Sequence, residues 1–159
     1  MGGTSSYYRF VPAAFRPVTV DAIDRVLPFM AGLYSQDALD YDTARARRVA
    51  AWLLANPECG GIWLIESEGT EVGYFAITVC VSLEFHGRFA MLDELYVDAS
   101  ARNRGIGPDV VAFATEWSRA RGFAALRLEV AEENRHAQHV YAKYGFGLHH
   151  DRRLMTKWL

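Results

Sequence analysis

Leu92-Asp93-Glu94-Leu95-Tyr96-Val97, followed after a short polar turn by Arg102-Asn103-Arg104-Gly105-Ile106-Gly107, is the stretch on which the reading of this chain turns. A run of β-branched and aromatic residues feeds a glycine loop that opens a helix. Such a loop presents successive backbone N–H groups, unpaired at the helix N-terminus, toward an anion, and glycine lets a phosphate approach the backbone closely. Arg102 and Arg104 add charged donors. By itself R-x-x-G-x-G reads equally well as a plain turn and helix start, so its neighbours must decide. Two other phosphate motifs are excluded: there is no GxxxxGK[ST], and no GxGxxG with a ribose-binding acid about twenty residues on.

Downstream, Val110, Val111, Ala114 and Trp117 continue a helical apolar face until Gly122 stops it. A strand is predicted over residues 125–130, a helix over 134–144, and extended structure, as a final hairpin, over 145–159. Asn134, Ala137 and Tyr141 share one face of that helix at offsets of three and seven, and Gly145-Phe146 follow. Taken singly, a tyrosine at this spacing reads as a core residue with a satisfied hydroxyl.

Upstream, a short first strand is expected around residues 9–11 or nearer Phe15. Ile23, Val26, Leu27, Met30 and Leu33 predict a helix over 20–34, with Asp21 and Asp24 in its first turn. After a polar, acidic segment over 35–42, Ala46, Val49, Ala50 and Leu53 predict a second helix over 43–55, ended by Asn56-Pro57. Residues 62–66, 72–83 and 89–97 read as an antiparallel meander with turns at Glu68-Gly69 and His86-Gly87. The second half holds one strand, helix, strand crossover. Neither a repeat nor a Pro/Gly/Ser-rich linker interrupts the chain, so residues 1–159 read as a single domain.

Composition narrows the function. With seventeen basic and nineteen acidic side chains, a net charge of −2 supplies no global field for nucleic acid or an anionic membrane. Arg45, Arg47 and Arg48 therefore read as a solvated helix face. Cys59 and Cys80 form neither a CxxC nor a disulfide framework, and His136 with His139 has no carboxylate or cysteine fixed nearby, so no metal is expected. The N-terminal MGGTSSYYRF has no basic segment leading into an apolar one, and the apolar run over 72–83 is too short to span a bilayer. A cytoplasmic protein without a membrane anchor is the expectation.

The order strand, R-x-x-G-x-G loop, helix, strand, then N-x-x-A-x-x-x-Y-x-x-x-G-F is similar to the GNAT superfamily of N-acetyltransferases. Its specific residues span 92–146, and the upstream order of elements resembles that family's first half. The resemblance implies an α/β (α+β) fold: one mixed, mostly antiparallel sheet splayed between its fourth and fifth strands and flanked by about four helices. Acetyl-CoA, as cosubstrate, would lie in the gap. Its pantetheine arm would pair with backbone groups of Leu95 and Val97, on either side of Tyr96, and its pyrophosphate would sit on Arg102, Asn103, Arg104, Gly105, Ile106 and Gly107. Asn134 would contact the cofactor arm, and Tyr141 would place its hydroxyl near the thioester sulfur and protonate the departing thiolate. Pro108 departs from the family pattern by offering no N–H to the phosphates.

Transfer to an amine requires a neutral nucleophile, a polarised thioester carbonyl and a proton for the thiolate. Alkylammonium ions titrate near pH 10, so a base is needed. Asp93 and Glu94 are adjacent and point to opposite faces of the strand unless a bulge intervenes. Glu94 is preferred, because Asp-Glu-Leu-Tyr-Val resembles the Glu-Asp-hydrophobic-hydrophobic-Val stretch of diamine acetyltransferases; for either residue a surface ion pair is the plain alternative. Tyr34, Asp37 and Tyr41, in the acidic segment after the first helix, are candidate acceptor-binding residues, with Glu84 and His86 in the turn before the fourth strand as further ones. The expected acceptor is a small primary amine of polyamine, aminoglycoside or amino-acid type. A peptide N-terminus or lysine, and a module that holds acetyl-CoA without turning it over, are the competing readings. A homodimer through the final strands is expected by analogy alone.

Overall fold

The stretch over 60–97 is apolar enough on both sides of its pleat to be covered twice, and it forms the centre of the sheet. Here β2 (Gly60–Ser67), β3 (Thr70–Ser82) and β4 (Gly87–Val97) run as an antiparallel meander. The strand β1 (Ala14–Pro17) lies antiparallel to β2, and β5 (Leu126–Leu128) lies parallel to β4, which gives the sheet order β1-β2-β3-β4-β5. The computed structural model describes residues 13–149 and 154–158. They divide into two compact units after Glu129, inside a stretch with no linker composition.

In the first unit the pleat sorts side chains by period two. Ile62, Leu64, Tyr74 and Ala76 join Leu27, Met30, Ala50 and Leu53 in a core under two helices, α1 (Leu27–Gln36) and α2 (Thr43–Ala55). Trp63, Ile65, Phe75 and Ile77 face the other way and pack with Val110 and Ala114 of α3 (Ile106–Ala120). Aromatic rings tie that second core together: Trp63 stacks on Phe75 at 5.2 Å, and Phe113 meets both edge-on.

One irregularity in β4 decides which way its later side chains point. Ile77 pairs with Leu92 but Ala76 pairs with Glu94, so Asp93 is an extra residue opposite β3. A one-residue bulge inverts the facing of everything beyond it. Before the bulge Ala90 and Leu92 pack on the α3 side; beyond it Leu95 and Val97 do, while Tyr96 packs on the α1 side. Glu94, one residue from Leu95 and two from Tyr96, is thereby turned to the α1 face.

The β4–β5 pairing covers only Ala90, Leu92 and the residue between them. Beyond Leu92 the edge of β4 has no neighbouring strand among the described residues, which is the splay the resemblance implies between the fourth and fifth strands.

The first strand takes the second of its two expected places, and three other sequence expectations are corrected. The first strand falls at Ala14–Pro17, around Phe15, whereas the alternative at 9–11 lies outside the described residues. The helix expected over 20–34 is broken into a 3-10 segment, Val20–Arg25, and α1. Pro28 is the reason: it has no N–H for the preceding turn and suits the first turn of a new helix. The strand expected over 125–130 shortens to β5, whose neighbour β4 diverges at Asp93. No strand occurs after β5 among the described residues, so the hairpin expected over 145–159 is absent from them; Leu154, Met155 and Trp158 are exposed there.

Gly73 of β3 lets the two strands close beside the site: a Cβ there would lie 2.1 Å from the Tyr96 carbonyl oxygen. Gly87, at the far end of β4, has no heavy atom within 4 Å of such a Cβ. Urea denaturation should therefore show Gly73→Ala losing about 1–3 kcal/mol, with Gly87→Ala within about 0.5 kcal/mol of the parent.

Candidate active site

Glu94 sits in a pocket of hydroxyls. The Tyr74 hydroxyl, from the middle of β3, donates to Glu94 Oε2 at 2.7 Å. Tyr34 on α1 brings a second hydroxyl to the same carboxylate. Burial raises the Glu94 carboxyl above its ordinary value and neighbouring Asp93 adds to the rise, while the two phenols oppose it. Asp93 is also raised, by the protein packed around its carboxyl, although its side chain keeps contact with solvent. Among the described residues no salt bridge reaches either carboxylate.

The phenols respond in kind. Burial and then Glu94 push Tyr34 up to about 12, and the same causes raise Tyr74 far above its ordinary value. Tyr41 meets the Tyr34 ring edge-on at 5.4 Å and donates its hydroxyl to the Leu27 carbonyl at 3.1 Å. The structure thus brings Tyr34, Tyr41, Asp93 and Glu94 together, and adds Tyr74, which the sequence reading missed. A tyrosine inside an otherwise apolar strand was the available signal, because a buried phenol needs a partner.

The remaining acceptor candidates lie apart. Asp37 is an exposed residue at the C-cap of α1. Glu84 and His86 belong to the β3–β4 turn, which is roughly 20 Å along β4 from Glu94 at the rise of a strand.

The glycine loop follows the other end of β4. Asn103 at φ 62° and Gly105 at φ 82° both take the left-handed conformation, and alternation of this kind turns successive N–H groups into one concavity. No side chain caps α3, and a Cβ built on Gly105 or Gly107 would have no heavy atom within 4 Å. Uncapped amides over open space fit a pyrophosphate. The helix starts at Ile106, which puts Pro108 third in its first turn, where the missing N–H would in any case have no partner within the helix. The arginines are held as struts: Arg102 donates Nε–H to the Val97 carbonyl at 2.8 Å and bonds the Gln36 side chain at 2.5 Å, while Arg104 bonds the Ser100 carbonyl and pairs with Glu68 at 3.6 Å. Tyr96 lays its ring against Gly32 and Phe29 of α1, with the Arg102 guanidinium 5.8 Å above it.

In the second unit, α4 (Arg135–Lys143) explains the other motif residue by residue. Asn134 is the N-cap, and its side-chain oxygen accepts from the Ala137 amide at 3.1 Å. At the far end Gly145, at φ 86°, donates to the Ala142 carbonyl, and Phe146 donates to that of Tyr141. This is a Schellman stop, whose usual apolar contact is the Tyr141–Phe146 ring pair at 5.8 Å. Burial raises the Tyr141 phenol, which keeps it protonated.

The acetyltransferase (GNAT) family model matches residues 27–146. An uncharacterized N-acetyltransferase of Methanocaldococcus jannaschii is 30% identical over 147 residues, or 91% of this chain; the chain spans only 63% of that relative's length. Among solved structures, an integron cassette protein from the mobile metagenome of Cole Harbour Salt Marsh has a TM-score of 0.80 at 26% identity, over 91% of this chain and 90% of that one. The aminoglycoside N-acetyltransferase AAC(6')-Iy, solved in complex with CoA, shares the fold at a TM-score of 0.74 and 15% identity, over 91% and 94% of the two chains. No helix among the described residues is long and apolar enough to cross a membrane. The splayed β4 edge, the uncapped glycine loop and a family match over well over half of the chain lead to one conclusion: this chain belongs to the acetyltransferase (GNAT) family.

Proposed function

We propose that the chain transfers the acetyl group of acetyl-CoA to a primary amine of a small, cationic molecule, with Glu94 as base and Tyr141 as acid. The observation that carries the acceptor class is the half-buried Glu94 carboxylate, bonded by phenols and, like the exposed Asp93 beside it, without a cationic partner among the described residues. A carboxylate partly withdrawn from water gains from compensation, which an ammonium group would supply. Polyamine-like, aminoglycoside-like and amino-acid acceptors all meet that requirement. The family and the CoA-bound structural neighbour support acetyl-CoA as cosubstrate, and the α3 N-terminus would hold its pyrophosphate. Both units are read as parts of one domain, since the family match runs across Glu129. Free thiols at Cys59 and Cys80 suit a reducing cytoplasm.

The chemistry divides between two side chains. Glu94 takes the proton from the arriving ammonium, directly or through one water, and frees the nitrogen lone pair to attack the thioester carbonyl carbon. Tyr141 returns a proton to the sulfur as the C–S bond breaks, a role drawn from the family motif and suited to a phenol kept neutral by burial. The nitrogen gives up its second proton as the tetrahedral intermediate collapses to the amide, which restores the Tyr141 phenol, so amide and thiol are the products with one proton released through Glu94.

Release of free thiol from acetyl-CoA should appear with at least one polyamine, aminoglycoside or amino acid in a panel that also holds short peptides; turnover confined to the peptides would overturn the small-molecule reading. In steady-state kinetics with the responsive amine, Tyr141→Phe should lower kcat by about a hundredfold or more and leave acetyl-CoA affinity by calorimetry unchanged. Glu94→Gln should lower kcat/KM by about 10²–10⁴. In the parent, kcat/KM should fall as pH drops through a midpoint above 4.5, the ordinary carboxyl value from which Glu94 is raised. The sign for stability is opposite: a raised carboxyl favours folding below its unfolded value and loses that contribution as pH rises through the folded one. Glu94→Gln should therefore have a higher Tm than the parent at neutral pH, measured by calorimetry.

A further inference from the structure

Tyr74 has no exposed surface, at the centre of β3 between Leu64 and Ala76 in the core under α1 and α2. Packing alone does not call for a hydroxyl there, since phenylalanine fills nearly the same volume, and a buried phenol is costly unless it is bonded. The hydroxyl donates to Glu94 Oε2 at 2.7 Å, the usual length of an O–H···O bond. The register makes this a diagonal bond: Tyr74 lies opposite Tyr96, and Glu94 lies opposite Ala76 beyond the bulge. A rigid, buried donor on the central strand thus holds a carboxylate whose facing depends on one extra residue in its neighbour.

We infer that Tyr74 is the positioning residue of the base, its buried hydroxyl pinning one carboxylate oxygen of Glu94 so that the other is presented to the acceptor amine. The inference rests on the reading of Glu94 as base. The titratable groups that face Glu94 are Tyr34 from α1, Tyr41 from the segment before α2, Tyr74 from β3 and Asp93 from β4 itself. Tyr74 and Tyr34 favour the ionised carboxylate, whereas burial and Asp93 oppose it. Tyr34 is only partly buried on its helix, which leaves Tyr74 as the fixed member of the pair.

The experiment is a carbon-13 NMR titration of the Glu94 carboxyl in the full chain, assigned by the resonance missing from Glu94→Gln, with kinetics on the amine that releases thiol. Tyr74→Phe should move the Glu94 midpoint to higher pH and lower kcat at neutral pH about tenfold, with KM for the amine within about twofold. A ring-difluorinated tyrosine in place of Tyr74 keeps the shape and is the stronger donor, so it should move the midpoint to lower pH; this variant decides the sign if Tyr74→Phe does not fold. A purely structural Tyr74 would alter Tm and leave the midpoint in place in both variants, which would overturn the inference, as would a moved midpoint with unchanged kcat. Full turnover in Glu94→Gln would remove the base reading itself, and this inference with it.

Discussion

The extra residue at Asp93 is the constraint on which the geometry of the site depends. A strand buried on both faces has a strict parity, and β4 obeys it up to Leu92, where its apolar side chains serve the α3 core. Continued without interruption, that parity would have pointed Glu94 into the aromatic cluster of Trp63, Phe75 and Phe113. One unpaired residue moves Leu95 and Val97 into that core instead and turns Glu94 and Tyr96 toward α1. The same point is where β5 stops pairing, so a single local irregularity aims the carboxylate and opens the edge of the strand.

Holding Glu94 there works against stability. Its charge is partly shielded from water and Asp93 repels it, and no cation among the described residues compensates. Two phenols return part of that loss as hydrogen bonds to the ionised form. A structural ion pair would have been the easier solution for folding, as at Arg16 and Glu66 on the surface. An uncompensated carboxylate beside phenols is instead suited to a cation that arrives and leaves.

The two sequence motifs build helix ends. Asn134 caps α4, and Gly145-Phe146 stop it against Tyr141. In the R-x-x-G-x-G loop, Arg102 fastens the turn to β4 and α1 and Arg104 fastens it to Glu68 between β2 and β3, while glycines leave the α3 amides uncovered. Residue types that a motif assigns to a ligand can therefore be required by the backbone first, and the two demands coincide because an anion site is an unfinished helix end.

What the sequence by itself determined was whatever depends on local periodicity and local stereochemistry. The meander, α2, the glycine loop into α3, and the stop at Gly122 were legible because pleat, helical repeat and left-handed turns are written in neighbouring residues. Pro28 stands inside the apolar spacing of residues 23–33, and only the backbone shows a new helix starting beside it. The partners of Glu94 were not legible. Tyr34, Tyr74 and Glu94 lie in three different elements, and their meeting depends on strand register, on one bulge and on a helix laid across the sheet. Short-range pattern carries no information about which distant side chain will share a carboxylate, because that is decided by how whole faces pack; only the tertiary structure could place a buried donor from β3 under the candidate base of β4.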